Sequence, residues 1–204
     1  MSGNVMLTRD EVLEILTKTG ALRLGHFESS HTDGHRNQTF QMPLAMRYYR
    51  SAKILTVGLS RVLRGCDEVV RSLPRLSIMA GSPGGIPVAF GVGEVLQAEQ
   101  IFWAEREDGR LRFRQFMEVH RGEKCVLVDD MMRSGQTMRE MIELVRSSGG
   151  VVLATAVLVD QLIREVDLED VPLYSLIEME TRIYLDPSQC ELCQRGIPLE
   201  NVRG

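Results

Sequence analysis

Residues 125 to 137 read CVLVDDMMRSGQT. Four apolar residues, Cys125, Val126, Leu127 and Val128, run without alternation into two adjacent carboxylates, Asp129 and Asp130. A run this short, apolar at every position, is expected as a strand buried on both faces of a parallel sheet. Met131, Met132 and Arg133 lead into a small-residue loop, Ser134-Gly135-Gln136-Thr137, and then into a stretch with helical apolar spacing. A loop at the positive end of a helix turns backbone N–H groups and hydroxyls toward an anion, typically a phosphate. Two acids beside such a cradle make sense if the ligand also carries sugar hydroxyls or a divalent metal. Against a phosphate alone they would repel it.

Strands and helices alternate on either side of this stretch. Thr8 and Glu11 form a capping-box pattern at the start of a helix that Gly20 ends. Leu22 to Phe27 leads into a polar segment expected as loop plus a short strand. Tyr49 to Leu63 is predicted helical, Leu76 to Ala80 a strand, and Ile86 to Leu96 a helix entered through the turn GSPGG. Gln100 to Ala104 is predicted as a strand, and Glu105 to Gly122 as a flexible hairpin. Thr137 to Ser147 is predicted as a helix, with strands at Val151 to Val159 and Leu173 to Ile177. This order predicts an α/β fold with a central parallel sheet flanked by helices. Ligands of such sheets bind beyond the carboxyl ends of the strands. Three of those ends carry chemistry: Ala80-Gly81-Ser82, Ala104-Glu105-Arg106 and Asp129-Asp130.

The bulk properties set the limits. A chain of 204 residues suits one domain with a large core. Its 44% hydrophobic and 25% charged residues are ordinary for a soluble protein. A net charge of −4 offers no general attraction for nucleic acid. No apolar stretch approaches the roughly 20 residues that span a bilayer, and the N-terminus lacks a signal-peptide core. Four cysteines (Cys66, Cys125, Cys190 and Cys193) in such a chain point to reduced thiols and a cytoplasmic location.

The 125–137 stretch closely resembles the motif that binds 5-phosphoribosyl 1-diphosphate (PRPP) in type I phosphoribosyltransferases. That motif has four hydrophobics, two acids, two apolars and a Thr/Ser-Gly-x-Thr/Ser loop. Every position fits except Arg133, where the family usually has a small residue. GALRLGHF (20–27), GSPGGIPVAFGV (81–92), IFWAERED (101–108) and the motif with its flanks (121–150) together resemble bacterial orotate phosphoribosyltransferases. The tail DPSQCELCQRGIPL (186–199) resembles the ending of one bacterial subgroup.

The resemblance implies a type I phosphoribosyltransferase fold over residues 1–204, with a small hood from about 1–45 and 165–204. It implies attack of a base on C1 of PRPP with loss of pyrophosphate, Mg²⁺ as cofactor, and a homodimer whose hairpins reach over each other's clefts. In that reading Asp129, Asp130 and Arg106 serve catalysis, and the two aspartates also orient the metal through ligand and water. Arg133, Ser134, Gly135, Gln136 and Thr137 wrap the 5-phosphate after Met131 and Met132. Ser82, Pro83, Gly84 and Gly85 receive the pyrophosphate, with Glu105 and Arg106 beside them.

Several residues depart from the family. Gly84 stands in place of a lysine, and Ala104 and Glu105 in place of an Arg-Lys pair. Gln161 replaces the arginine that meets the carboxylate of orotate, while Arg133 adds a cation at the phosphate loop. A fork-shaped cation and a neutral amide are not interchangeable at a carboxylate. The base pocket is therefore expected among Arg133, Gln161, Asp33, His35 and Arg36. Alternatives stand beside the orotate reading: another acceptor base, or a non-catalytic PRPP- or nucleotide-binding regulator. Cys190 and Cys193 form a Cys-x-x-Cys pair, which supplies only two zinc ligands. Zinc would require nearby histidines or a partner subunit; the alternatives are a turn with reduced thiols or a labile disulfide.

Overall fold

A computed structural model of the chain describes residues 7–29, 34–114, 117–161 and 166–201. In chain order the elements are α1 (Arg9–Lys18), β1 (Leu22–Glu28), β2 (His35–Phe40), α2 (Pro43–Met46), α3 (Tyr49–Leu63), α4 (Asp67–Ser72), β3 (Ser77–Ala80) and α5 (Gly85–Leu96). There follow β4 (Gln100–Trp103), β5 (Glu105–Glu107), β6 (Arg110–Arg112), β7 (Lys124–Met132), α6 (Gln136–Ser147), β8 (Val151–Asp160), β9 (Leu173–Glu178), β10 (Ile183–Tyr184) and α7 (Glu191–Gln194). Asp33, one of the base-pocket candidates, lies outside the described residues.

Five parallel strands form the central sheet in the order β4-β3-β7-β8-β9. Cys125, Val126, Leu127 and Val128 on β7 are each 0% exposed. Val126 and Val128 face one core with α3 and α5, whereas Cys125 and Leu127 face a second with α6. The unbroken apolar run therefore reflects a strand with a core on each side. Among the described residues no helix is long and apolar enough to cross a membrane.

β7 runs four residues beyond the apolar stretch, so Asp129 and Asp130 belong to the strand and not to the loop. The cause is β8, which keeps pairing with β7 as far as Met132↔Asp160. β3 stops earlier, at Ala80↔Val128. From Asp129 onward one edge of β7 is released, and the turn after β3 faces it. From β3 the chain passes through α5 to β4 on one side of it, and β7 then lies on the other. The order thus reverses between β3 and β7, and the cleft at their carboxyl ends is the switch point of the sheet.

A smaller antiparallel sheet, β1-β2-β10, is built from both ends of the chain. β1 carries a register shift between Leu24 and Phe27. The predicted short strand within the polar segment is β2, with six residues. The capping box at α1 is present as read, with Glu11 N–H donating to Thr8 Oγ1 and Thr8 N–H to Glu11 Oε2.

Candidate active site

Asp129 is 5% exposed. Its Oδ1 accepts the Ser82 hydroxyl at 2.5 Å and the Asp130 N–H at 2.9 Å. Ser82 Oγ in turn accepts the Gly85 N–H at 2.9 Å, which ties the turn after β3 to the end of β7. Burial holds both carboxyls above the usual carboxylate range; Asp130's charge raises Asp129 further, and Ser82 pulls it back. Arg133 opposes the rise on Asp130. Two acids so close and so dry resist ionising together. A cation or a set of hydroxyl donors arriving beside them would relieve that cost.

The glycines of the turn make this approach possible. A Cβ on Gly84 would lie 2.2 Å from Asp130 Oδ2, and one on Gly85 would lie 2.9 Å from Asp129 Oδ1. Any side chain at position 84, the family's lysine included, would displace the Asp130 carboxylate from its present position.

The loop after β7 has the geometry of an anion cradle. Gly135 caps α6 at φ 70°, a left-handed conformation that favours glycine. The turn exposes the first N–H groups of a twelve-residue helix. Asp129, Met131, Met132 and Arg133 through Met138 enclose a cavity of about 200 Å³. That is below the ~300–1,000 Å³ of sites for drug-sized ligands and suits one phosphate group.

The base-pocket candidates divide. Arg36 is buried on β2, and the loss of water, then Arg133's charge, hold its guanidinium below its usual pKa. Its buried Nε has no hydrogen-bond partner among the described residues. Arg133 thus stands beside Asp130, and Arg36 lies within reach of Arg133's charge. Gln161 is buried, and its Nε2 lies 2.6 Å from the Met131 sulfur. His35 goes elsewhere. Adjacent strand residues point to opposite faces, and His35 contacts His26 and Cys193 instead.

The hairpin is β5–β6, closed by Asp108 and Gly109 with φ of 49° and 79°. Positive φ at both central residues is the hairpin turn that Asp-Gly favours. Arg106 pairs with Glu140 on α6 at 2.8 Å and donates to the Gly109 carbonyl at 2.6 Å. Arg114 lies 3.6 Å from Glu105, and Arg112 lies 4.0 Å from Glu107. In this structure, therefore, Arg106 and Glu105 face acidic and basic neighbours and not the aspartate pair. His26, to which the sequence assigns no role, contacts His35, Cys190, Cys193 and the Ile197 carbonyl.

A family model described as a phosphoribosyl transferase domain matches residues 97–187. The chain belongs to the phosphoribosyltransferase family, a class of transferase enzymes. Among its relatives, the orotate phosphoribosyltransferase of Pelotomaculum thermopropionicum is 34% identical over 193 residues, covering 94% of this chain and 95% of that protein. The orotate phosphoribosyltransferase of Carboxydothermus hydrogenoformans is 33% identical over 189 residues, covering 93% and 94%. The crystal structure of orotate phosphoribosyltransferase from Aeropyrum pernix shares the fold, with a TM-score of 0.67 at 22% identity over 82% of this chain and 93% of that one. An adenine phosphoribosyltransferase from Thermoanaerobacter pseudethanolicus also shares it, with a TM-score of 0.56 at 19% identity over 70% and 88%.

Proposed function

We propose that the protein transfers the phosphoribosyl group of PRPP to orotate, giving orotidine 5-phosphate and pyrophosphate. The observation that carries this reading is the meeting of three parts at one switch point: twin acids, one buried and one half-buried, a glycine turn and a phosphate-sized helix cradle. A ring nitrogen of the base, giving up its N–H proton to water, attacks C1 of the ribose as the C1–oxygen bond breaks, and the electron pair of that bond leaves with pyrophosphate. Positioning and charge stabilisation supply most of the rate. Asp129 and Asp130 hold the ribose hydroxyls, Arg133 to Thr137 wrap the 5-phosphate, and Ser82 to Gly85 receive the pyrophosphate. Arg106 reaches that pyrophosphate only by leaving Glu140.

Magnesium fits the donor set. Asp129 and Asp130 offer only oxygen, which suits a hard cation, and their raised pKa values describe a site that gains from an incoming positive charge. When bound, it neutralises charge on the pyrophosphate. Orotate as acceptor follows the names of the relatives, and Arg36 and Arg133 give that choice a physical reason: a buried and a half-buried cation, each short of water, favour a base with a carboxylate.

The same reading makes the protein a homodimer. It is supported by a groove of about 730 Å³, lined by Arg47, Tyr49, Lys53, Phe90 and Ile101 among others. Tyr49 is 73% and Phe90 52% exposed there. Sedimentation at micromolar concentration is expected to give a dimer, and a monomer would remove this part of the account.

The test of function is pyrophosphate release from Mg²⁺–PRPP with orotate, uracil, adenine and hypoxanthine in turn. Release with orotate alone is expected. Release only with another base would reassign the acceptor. PRPP binding without turnover on any base would favour the regulator, the reading that the self-paired hairpin charges support.

A further inference from the structure

A second constellation lies away from the cleft, where the C-terminal tail meets the small sheet. His26 on β1, His35 on β2, and Cys190 and Cys193 on either side of the first turn of α7 bring one ligand atom each to within 4.8 Å of one another. His26 and Cys190 are 1% and 0% exposed. His26 Nε2 lies 2.9 Å from His35 Nδ1, 3.5 Å from Cys190 Sγ and 3.7 Å from Cys193 Sγ. Cys193 Sγ lies 3.2 Å from His35 Nδ1. All four cysteines of the chain are free thiols.

Hydrogen bonding alone accounts poorly for this packing. His26 Nδ1 lies 2.8 Å from the Ile197 carbonyl oxygen, which can only accept, so Nδ1 carries the ring proton. In the neutral ring Nε2 is then a single lone pair, and a ring nitrogen and two sulfurs crowd it. One lone pair accepts one hydrogen bond. An ion at the centre would instead take a lone pair from each of the four groups. A tetrahedron with Zn–S of about 2.3 Å and Zn–N of about 2.0–2.1 Å has edges of roughly 3.3–3.8 Å. Four of the six separations, 2.9–3.7 Å, lie within or just below that range, and all six stay within 4.8 Å, so the four groups are gathered closely enough for small side-chain shifts to close them around one ion. The Ile197 carbonyl also does what an outer partner does for a metal-bound histidine: it fixes the ring and the tautomer.

We propose that His26, His35, Cys190 and Cys193 bind one zinc ion that clips the C-terminal tail to the β1–β2 hairpin. Two thiolates and two imidazoles select zinc over the hard cations suited to the acid-lined cleft. Four protein ligands leave no open position, so the site is structural and not catalytic. The tail has little else to hold it. From Pro187 to Asn201 only Cys190 is buried, and beyond the four-residue cluster the ties to the small sheet are the Ile197 carbonyl on His26 Nδ1, one backbone bridge, Phe27↔Glu200, and exposed polar contacts. Metal ligation substitutes for the apolar anchor that this segment lacks. Arg36 follows His35 on the same strand, so the clip also steadies the backbone that carries Arg36.

The site is tested on the full-length, untagged protein purified without chelator, with no substrate present. Elemental analysis is expected to give about one zinc per chain, released when a mercurial blocks the thiols. Cys193→Ser and His26→Ala are each expected to retain less than about a tenth of that metal. Because a variant could fail to fold, cobalt(II) is also titrated into the metal-stripped wild type, where thiolate-to-cobalt charge-transfer bands and tetrahedral ligand-field bands are expected. Zinc-free wild type that takes up no cobalt would overturn the proposal. So would a cobalt spectrum without thiolate bands, a full zinc equivalent in Cys193→Ser, or a Cys190–Cys193 disulfide in freshly isolated protein. None of these readouts depends on phosphoribosyl transfer, so each reading can fail without the other.

Discussion

Asp129→Asn is expected to raise the melting temperature of the ligand-free protein near pH 8 while reducing transfer activity by a factor of ~10² or more. The two effects have one cause. Asp129 is buried beside Asp130, and loss of water first, then its neighbour's charge, pushes its carboxyl up to about 7. A carboxyl whose folded pKa exceeds its unfolded value favours folding only while it is protonated. That contribution is complete below the ordinary carboxylate pKa of about 4 and is lost as pH rises through about 7. The full shift corresponds to at most ~4 kcal/mol at ~1.4 kcal/mol per unit. Sharing of the burden with Asp130 reduces the expected gain to about 2 kcal/mol, or several degrees for a chain of this size. Asparagine keeps an oxygen to accept from Ser82 and from the Asp130 N–H, and it never ionises. The variant and the wild type should therefore melt alike near pH 4 and diverge as pH rises. Thermal melts across that range check it. A variant less stable than wild type at every pH would mean that the buried charge is not a cost.

Arg36→Ala and Arg133→Ala are each expected to raise the KM for orotate about 10- to 100-fold, the worth of a charged hydrogen bond of ~1.5–3 kcal/mol. Arg36→Ala should leave PRPP affinity unchanged, whereas Arg133→Ala should weaken both substrates because Arg133 also belongs to the phosphate loop. Each guanidinium sits below its usual pKa because burial strips its water, and Arg36 also feels the charge of Arg133. A carboxylate arriving between them would reverse that cost, which is how a protein without the usual arginine at Gln161 can still hold an acidic base. Steady-state kinetics with orotate and PRPP varied separately distinguish the roles. Unchanged orotate KM in both variants would remove these residues from base recognition.

Much of this was legible in the chain. Cys125 to Val128 carry no polar residue, and only a strand with a core on each face accounts for that. Tyr49–Leu63 reads as a helix with the bounds it has. The parts that were not legible depend on distant partners. Nothing local says that β8 outlasts β3 and draws Asp129 and Asp130 into a strand. His35 reads as a pocket residue until the pairing with β1 fixes which face of β2 it occupies. Arg106 reads as a free cation until Glu140 is seen across from it. The Cys-x-x-Cys pair shows only two ligands, because the two histidines that meet it lie over 150 residues earlier in the chain. The signal that could have found them is a histidine on each strand of one hairpin, in a chain that also ends in such a pair.

The most direct measurement is calorimetric titration of the intact protein with Mg²⁺–PRPP, alongside Gly135→Ala. A Cβ at that left-handed position would lie 2.1 Å from Val166 Cγ1, so the variant's phosphate cradle cannot keep its present shape. Saturable binding by the wild type, weakened at least about tenfold in the variant, is the expected result. No heat with the wild type, or equal affinity in both proteins, would contradict the claim that a sugar phosphate is held where β7 passes into α6.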